Sequence, residues 1–311
     1  MTRLTRVALA AAVVAAATGC TVGATPASSP TGGPASVKGT LLYAPAGSSG
    51  RITLQMWTPP AAPAAGAALQ DEDALGVTFA PDATRIAYLH GGSTTVAAVD
   101  GSGAKALLPG VDAACGEPNW SADGARVTAA QGGRSGTVAA GGGAFTPFAT
   151  AVTGCHVLFS GDSSTIVYAT GNGGITVAKS DGSAAHAVPR LGADGGPTKR
   201  RSNHPMSVSA DGKLIAVFVQ QGESSEGGDS GAGRALLANE IVDAATGATV
   251  TLPVSGEMQQ AYFLPKGGLL VRTQDKDGMR VTLLSADMKV LGSVAEPASL
   301  TAAVLMGYAA P

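Results

Sequence analysis

From Gly39 onward the chain alternates short apolar runs with clusters of Gly, Asp, Ser and Pro, and no stretch past residue 40 shows a helical period with caps. Runs of about five β-branched and aromatic residues between turn formers predict strands, and tight turns between them predict hairpins. One order recurs. A strand ends at Phe79, Trp120, Phe159 or Val208, and a turn rich in Asp, Gly and Ser follows, such as Asp123-Gly124 or Asp211-Gly212. Such pairs tolerate positive φ and favour close hairpins. A second strand leaves the turn ("RIAYL", "TIVYA", "KLIAVFV"), and a third comes next ("TTVAAVD", "GITVAKS", "NEIVDA", "RVTLLSA"). A short fourth run, such as "KALLPG" or "HAVPRL", closes the unit.

The unit repeats. "GVTFAPDATRIAYLHG" starts at Gly76, "EPNWSADGARVTAAQG" at Glu117, "HVLFSGDSSTIVYATG" at His156 and "HPMSVSADGKLIAVFVQ" at His204. A degenerate copy, "QQAYFLPKGGLLVRTQ", starts at Gln259. Aligned on Asp82, Asp123, Asp162, Asp211 and Lys266, the copies are 41, 39, 49 and 55 residues apart. A period near forty is the signature of a WD40-like propeller blade or of another repeat array. "GTLLYAPAGSSGRITLQMWTPP", from Gly39, reads as the second and third strands of a blade lacking its first. The closing "LTAAVLMGYAAP" reads as a first strand with nothing after it. Together they complete one blade and remove exposed sheet edges. The predicted fold is all-β: a six-bladed β-propeller of four-stranded antiparallel blades over 39–311, closed by pairing of the C-terminal strand with the N-terminal blade.

The phrases "FAPDATRIAY", "WSADGARVTA", "FSGDSSTIVY" and "VSADGKLIAV" resemble the repeat of TolB-like six-bladed propellers, here as a bacterial lipoprotein of actinobacterial type. The resemblance covers about residues 39–311. It implies architecture more than activity, because such propellers serve as scaffolds, receptors and enzymes. No G-x-S-x-G elbow is present and no hydrolase domain follows the repeats, so no catalytic residue is assigned. The recurrent Asp is read as a turn former.

The first twenty residues change the picture. "MTRLTRVALAAAVVAAATGC" sets Arg3 and Arg6 before an apolar run from Val7 to Ala17, the pattern of a secretory signal and too short to span a bilayer comfortably. Its end, Ala17-Thr18-Gly19-Cys20, resembles a lipoprotein lipobox with Ala in place of the usual Leu. The resemblance implies a signal peptide over 1–19 and a Cys20 bearing diacylglycerol and palmitate, which anchors the chain to the outer side of the cell membrane. The alternative is ordinary secretion with cleavage nearby. Residues 20–38 then form a lipidated linker, too small-residued and Pro-rich to order itself.

Composition agrees with this reading. Of 311 residues 45% are hydrophobic, enough for a large core, yet only 4% are aromatic and 44 are glycine, which suits short strands and many turns. A net charge of −2 excludes a global pull toward nucleic acid.

Cys115 and Cys155 lie one repeat apart, each just before an inner strand. Outside the cytoplasm such a pair is expected to form a disulfide, the alternative being two buried thiols. The starts of the inner strands ring the channel mouth, and equivalent places hold Glu117, His156, His204 and Gln259, with Asn119 close by. Two His and a Glu are a possible ligand set for a divalent ion, but the expectation is a polar collar with no metal and no cofactor. Two long segments belong to the same face: 189–203, with Lys199, Arg200 and Arg201, and 220–234, with Glu223, Glu226 and Asp229. They pair with each other, order around a partner, or remain solvated flexible loops with no partner. The functional expectation is a monomeric envelope lipoprotein that binds an envelope protein or a small extracytoplasmic ligand. A carbohydrate-active or other hydrolase or lyase propeller and a structural accessory of an envelope complex are its rivals.

Overall fold

The computed structural model describes residues 36–45, 52–69, 75–112, 115–192, 200–220 and 237–311. Residues 1–35, with Cys20 and the expected signal segment, and also Lys199 and the acidic stretch 221–236 lie outside the described residues.

Blade one receives β1 (Thr40–Pro45), β2 (Ile52–Trp57) and β3 (Ala64–Leu69) from the N-terminal part of the chain. Blade two is β4 (Leu75–Phe79), β5 (Arg85–His90), β6 (Ser93–Ala98) and β7 (Lys105–Pro109). Blade three has β8 (Arg126–Gln131), β9 (Arg134–Ala139) and β10 (Thr146–Pro147). Blade four is β11 (Cys155–Phe159), β12 (Thr165–Thr170), β13 (Gly174–Lys179) and β14 (His186–Ala187). Blade five has β15 (Pro205–Val208), β16 (Leu214–Val217) and β17 (Glu240–Asp243). Blade six is β18 (Glu257–Phe263), β19 (Leu269–Asp275), β20 (Gly278–Leu284) and β21 (Val290–Ala295). The last strand, β22 (Ala303–Ala309), returns to blade one and pairs with β1, setting Leu41 opposite Tyr308 and Tyr43 opposite Leu305. The ring therefore closes as the sequence predicts, and β3 adds a fourth strand to blade one that the repeat pattern does not reveal. Among the described residues there is no α-helix and no helix that could cross a membrane.

Two blades depart from the four-strand expectation for local reasons. The inner strand of blade three shrinks to a bridge between Trp120 and Val127. Pro118 has no N–H to give the ladder, and the Thr128 hydroxyl accepts the Asn119 N–H at 2.8 Å. In blade five the fourth strand is one bridge, Val242 with Thr249. The Asp243 carboxylate holds the backbone N–H groups of Ala245 and Thr246 and turns the chain early.

The repeated Asp makes the hairpin turns. Asp82 accepts the N–H of Thr84 at 3.0 Å, Asp123 that of Ala125 at 3.0 Å, Asp162 that of Ser164 at 2.9 Å and Asp211 that of Lys213 at 3.2 Å. In the degenerate copy glycine replaces this chemistry: Gly267 and Gly268 take φ of 91° and 97°, where L side chains are strained. Four residues after the aligned position stand Ile86, Val127, Ile166, Ile215 and Leu270, every one 0% exposed. Burial of each side chain is worth about 1.5–3 kcal/mol, so the phrase is conserved within the chain by the packing it serves. Among the described residues, six apolar clusters fill the six interfaces between successive blades. Trp120 and Phe159 belong to two of them, under the guanidinium groups of Arg85 and Arg126 at 4.8 and 5.5 Å. Phe79 packs against Gly307, where a Cβ would stand 3.0 Å from its ring. These aromatics are inter-blade core rather than a stacking platform.

Candidate functional site at the channel mouth

Four inner strands carry an irregularity where they enter the ring. The register slips between Leu75 and Thr78, between Cys155 and Leu158, between Pro205 and Ser207, and between Met258 and Gln260. Bulges of this kind re-aim side chains. Gly76, Glu117 and His156 occupy one register position on blades two, three and four, each six residues before the turn Asp. The backbone is left-handed at Gly76 (φ 64°) and also at His156 (φ 57°), a conformation uncommon outside glycine. Gly76 has a second reason to be glycine: a Cβ there would lie 2.8 Å from Cγ of Glu117.

These bends bring three chemical groups from three blades together. Oε2 of Glu117 lies 3.0 Å from Nδ1 of His156 and 2.8 Å from Nε2 of His204. The two imidazole rings are 4.0 Å apart, centre to centre, and tilted by 39°. The side chains of Glu117, His156 and His204 are 19%, 6% and 13% exposed. Burial alone would raise the Glu117 carboxyl, but hydrogen bonds from both rings, and their charge, outweigh it and hold the group well below the usual carboxylate range. Nδ1 of His204 also meets the Pro205 carbonyl oxygen at 3.0 Å. Glu117 and His204 open onto a channel cavity of about 190 Å³ that takes lining from every blade, with Asn119 just inside the mouth.

A disulfide joins Cys115 and Cys155, whose Cα atoms are 4.4 Å apart. It stands two residues before Glu117 and one before His156, so it fixes the spacing of the blades that carry this pair.

The structure assembles only part of the predicted collar. Gln259 takes no part in the cluster. It sits within the β18 bulge with its carbonyl accepting the Ala238 N–H, and its neighbour Gln260 is the buried residue, bonded to Leu305 and Arg272. A one-residue slip exchanges the faces of a strand. Arg200 is held within blade five by Glu240, Thr249 and the Gly247 carbonyl oxygen. Arg201 is exposed and pairs through its backbone with Gln220. The sequence reading passes over Gly76, although its register with Glu117 and His156 is a signal available in the repeat.

No family model matches the chain, and no curated protein matches it. Two solved structures are similar. One is a chain of a nidogen/laminin complex, 14% identical with a TM-score of 0.52, covering 86% of this chain and 97% of that one. The other is described as TolB from Agrobacterium tumefaciens, 13% identical with a TM-score of 0.48, covering 88% of this chain and 94% of that one. The likeness to the nidogen/laminin chain is one of fold.

Proposed function

We propose that this protein is a cell-envelope lipoprotein of TolB-like type, anchored through Cys20, whose propeller binds a protein partner at the channel mouth. The observation that carries this reading is the mouth itself: a cavity of about 190 Å³ within a six-bladed ring, onto which Glu117 and His204 of a preorganised Glu117–His156–His204 cluster open. Binding sites of this kind put a few fixed polar groups on an apolar, preformed wall. A chain of similar fold occurs in a nidogen/laminin complex, a precedent for this fold within a protein assembly. The signal sequence and the Ala17–Cys20 lipobox support the address.

The test is crosslinking and co-purification from detergent-solubilised envelope. The wild-type chain is compared with Asn119→Arg, which fills the mouth, and with a deletion of 222–233. Partner capture lost in both, with melting unchanged, supports the reading. Capture untouched by either overturns the mouth as the site and favours a structural accessory. Cys20→Ala is expected to release the chain from the membrane fraction; retention there overturns the anchor. The convergence of Glu117 with two histidines also favours a second reading, a hydrolase or lyase propeller. Turnover of envelope polysaccharide by the purified chain, lost in Glu117→Gln, would decide for it.

A further inference from the structure

We propose that Glu117, His156 and His204 form a binding site for one divalent transition-metal ion of the zinc class, with a coordination position open toward the channel. This departs from the sequence-based expectation of no metal, and it does not rest on the proposed partner-binding role.

Four observations carry it. The first is the donor set: two imidazoles and one carboxylate, from three different blades, with ligand atoms all within 4.8 Å of one another. Imidazole and carboxylate together suit zinc and its neighbours, whereas calcium and magnesium prefer oxygen alone. A tetrahedral ion with bonds of about 2.0–2.2 Å sets its ligand atoms roughly 3.3–3.5 Å apart. The carboxylate–imidazole separations of 3.0 and 2.8 Å fall a little short of that span and the whole set lies within 4.8 Å, so side-chain rotations seat the ion.

The second is hydrogen accounting at His204. Both of its ring nitrogens face oxygen acceptors, Nδ1 the Pro205 carbonyl and Nε2 the Glu117 carboxylate. A proton on Nδ1 donated to Pro205 would leave Nε2 as a ligand atom on the side where Glu117 offers its oxygen. This is the second-sphere pattern of metal-bound histidine, in which a backbone carbonyl fixes the tautomer and leaves the other nitrogen to the ion.

The third is that one oxygen, Oε2 of Glu117, receives both rings while the rings stand 4.0 Å apart. Both rings thus present a nitrogen to the same oxygen, so the three donor groups converge on one point.

The fourth is preorganisation. The Cys115–Cys155 disulfide, the left-handed backbone at His156 and the missing side chain at Gly76 all fix this one cluster. A left-handed backbone is uncommon outside glycine and is retained where the surroundings impose it. Glu117 and His204 line the cavity, which leaves the fourth position facing the channel.

The experiment uses the purified full chain, stripped with EDTA and titrated with zinc chloride alone by calorimetry. Metal content is counted after dialysis. We expect one zinc per chain. Glu117→Gln should weaken binding at least tenfold, and His204→Ala should remove stoichiometric retention. Cobalt in place of zinc should give a tetrahedral visible spectrum in the wild type that both variants lose. His90→Ala with His186→Ala should bind zinc as the wild type does. Circular dichroism confirms the fold of each variant, and Glu117→Gln keeps side-chain shape should the histidine variant unfold. Failure of the wild type to retain zinc overturns the proposal. So does equal affinity in Glu117→Gln, or loss of binding in the His90/His186 variant. The titration involves no partner, so its failure leaves the capture experiment standing, and the converse holds as well.

Discussion

Tyr43, on the first strand, donates its hydroxyl to Oε1 of Glu296 at 2.7 Å, across 253 residues of chain. The Glu296 side chain is fully buried and also receives Nε and Nη2 of Arg272 at 2.9 and 2.8 Å. Arg272 extends the network to the carbonyls of Leu300 and Ala303 and to Gln260, which in turn holds the backbone of Leu305. Blade six thus grips both partners of the closing pair, β1 and β22. Glu296→Ala strands a buried guanidinium and should destabilise the fold by about 3–5 kcal/mol. Tyr43→Phe leaves the ion pair intact and should cost about 1–2 kcal/mol. Urea unfolding checks both; equal losses would show that the ion pair does not hold the seam.

The Cys115–Cys155 bond closes a loop spanning 40 residues and ties blade three to blade four. Cys115→Ala with Cys155→Ala should lower stability by about 3–4 kcal/mol, chiefly by freeing the unfolded chain. Comparing oxidised, reduced and double-variant protein in urea gives the measurement. A reduced protein as stable as the oxidised one would refute the expectation.

The blade phrase is legible in the sequence because each of its parts answers to local physics. The Asp of the turn binds its own backbone, and the residue four further on is fully buried, so the period survives drift elsewhere. Closure of the ring is legible because "LTAAVLMGYAAP" lacks a partner within its own repeat. The seam network is not, since nothing in the spacing of Tyr43, Arg272 and Glu296 reveals that one carboxylate serves two blades. The mouth is half legible. Equivalent positions give Glu117 and His156, but bulges alter the register from blade to blade, and a one-residue slip turns Gln259 away while Gln260 enters the core.

The turn carboxylates make stability depend on acid. Hydrogen bonds from Ser121 and the backbone lower Asp123, and those of Asp82 and Asp162 outweigh the opposing effect of their burial. At Asp211 the Lys213 ammonium is the largest cause, and the carboxyl falls to about 2. These folded values lie below the unfolded value of about 3.9. Their contribution is therefore complete above about pH 4 and is lost as pH falls through the folded values. Urea midpoints should be level from pH 7 to about 5 and drop by pH 3. Asp→Asn at 82, 123 and 162 together keeps the accepting oxygens and should flatten that drop. An unchanged acid limb in the triple variant would place the dependence elsewhere.

Gly76 separates backbone strain from contact with the mouth. Gly76 and Gly91 both have left-handed backbone, with φ of 64° and 53°, but a Cβ on Gly91 meets nothing within 4 Å, whereas one on Gly76 meets Glu117 at 2.8 Å. An alanine in this conformation costs about 1–2 kcal/mol from the backbone alone. Gly91→Ala should show that cost and leave the mouth intact. Gly76→Ala adds overlap with the Glu117 side chain, for which overpacking costs about 1–3 kcal/mol, unless that side chain swings away. If it swings, stability is recovered at the expense of the Glu117–His156–His204 contacts, and zinc or partner affinity falls instead. The two variants are therefore compared by urea unfolding and by titration together. Identical behaviour in both measurements would mean that Gly76 is present for its backbone alone.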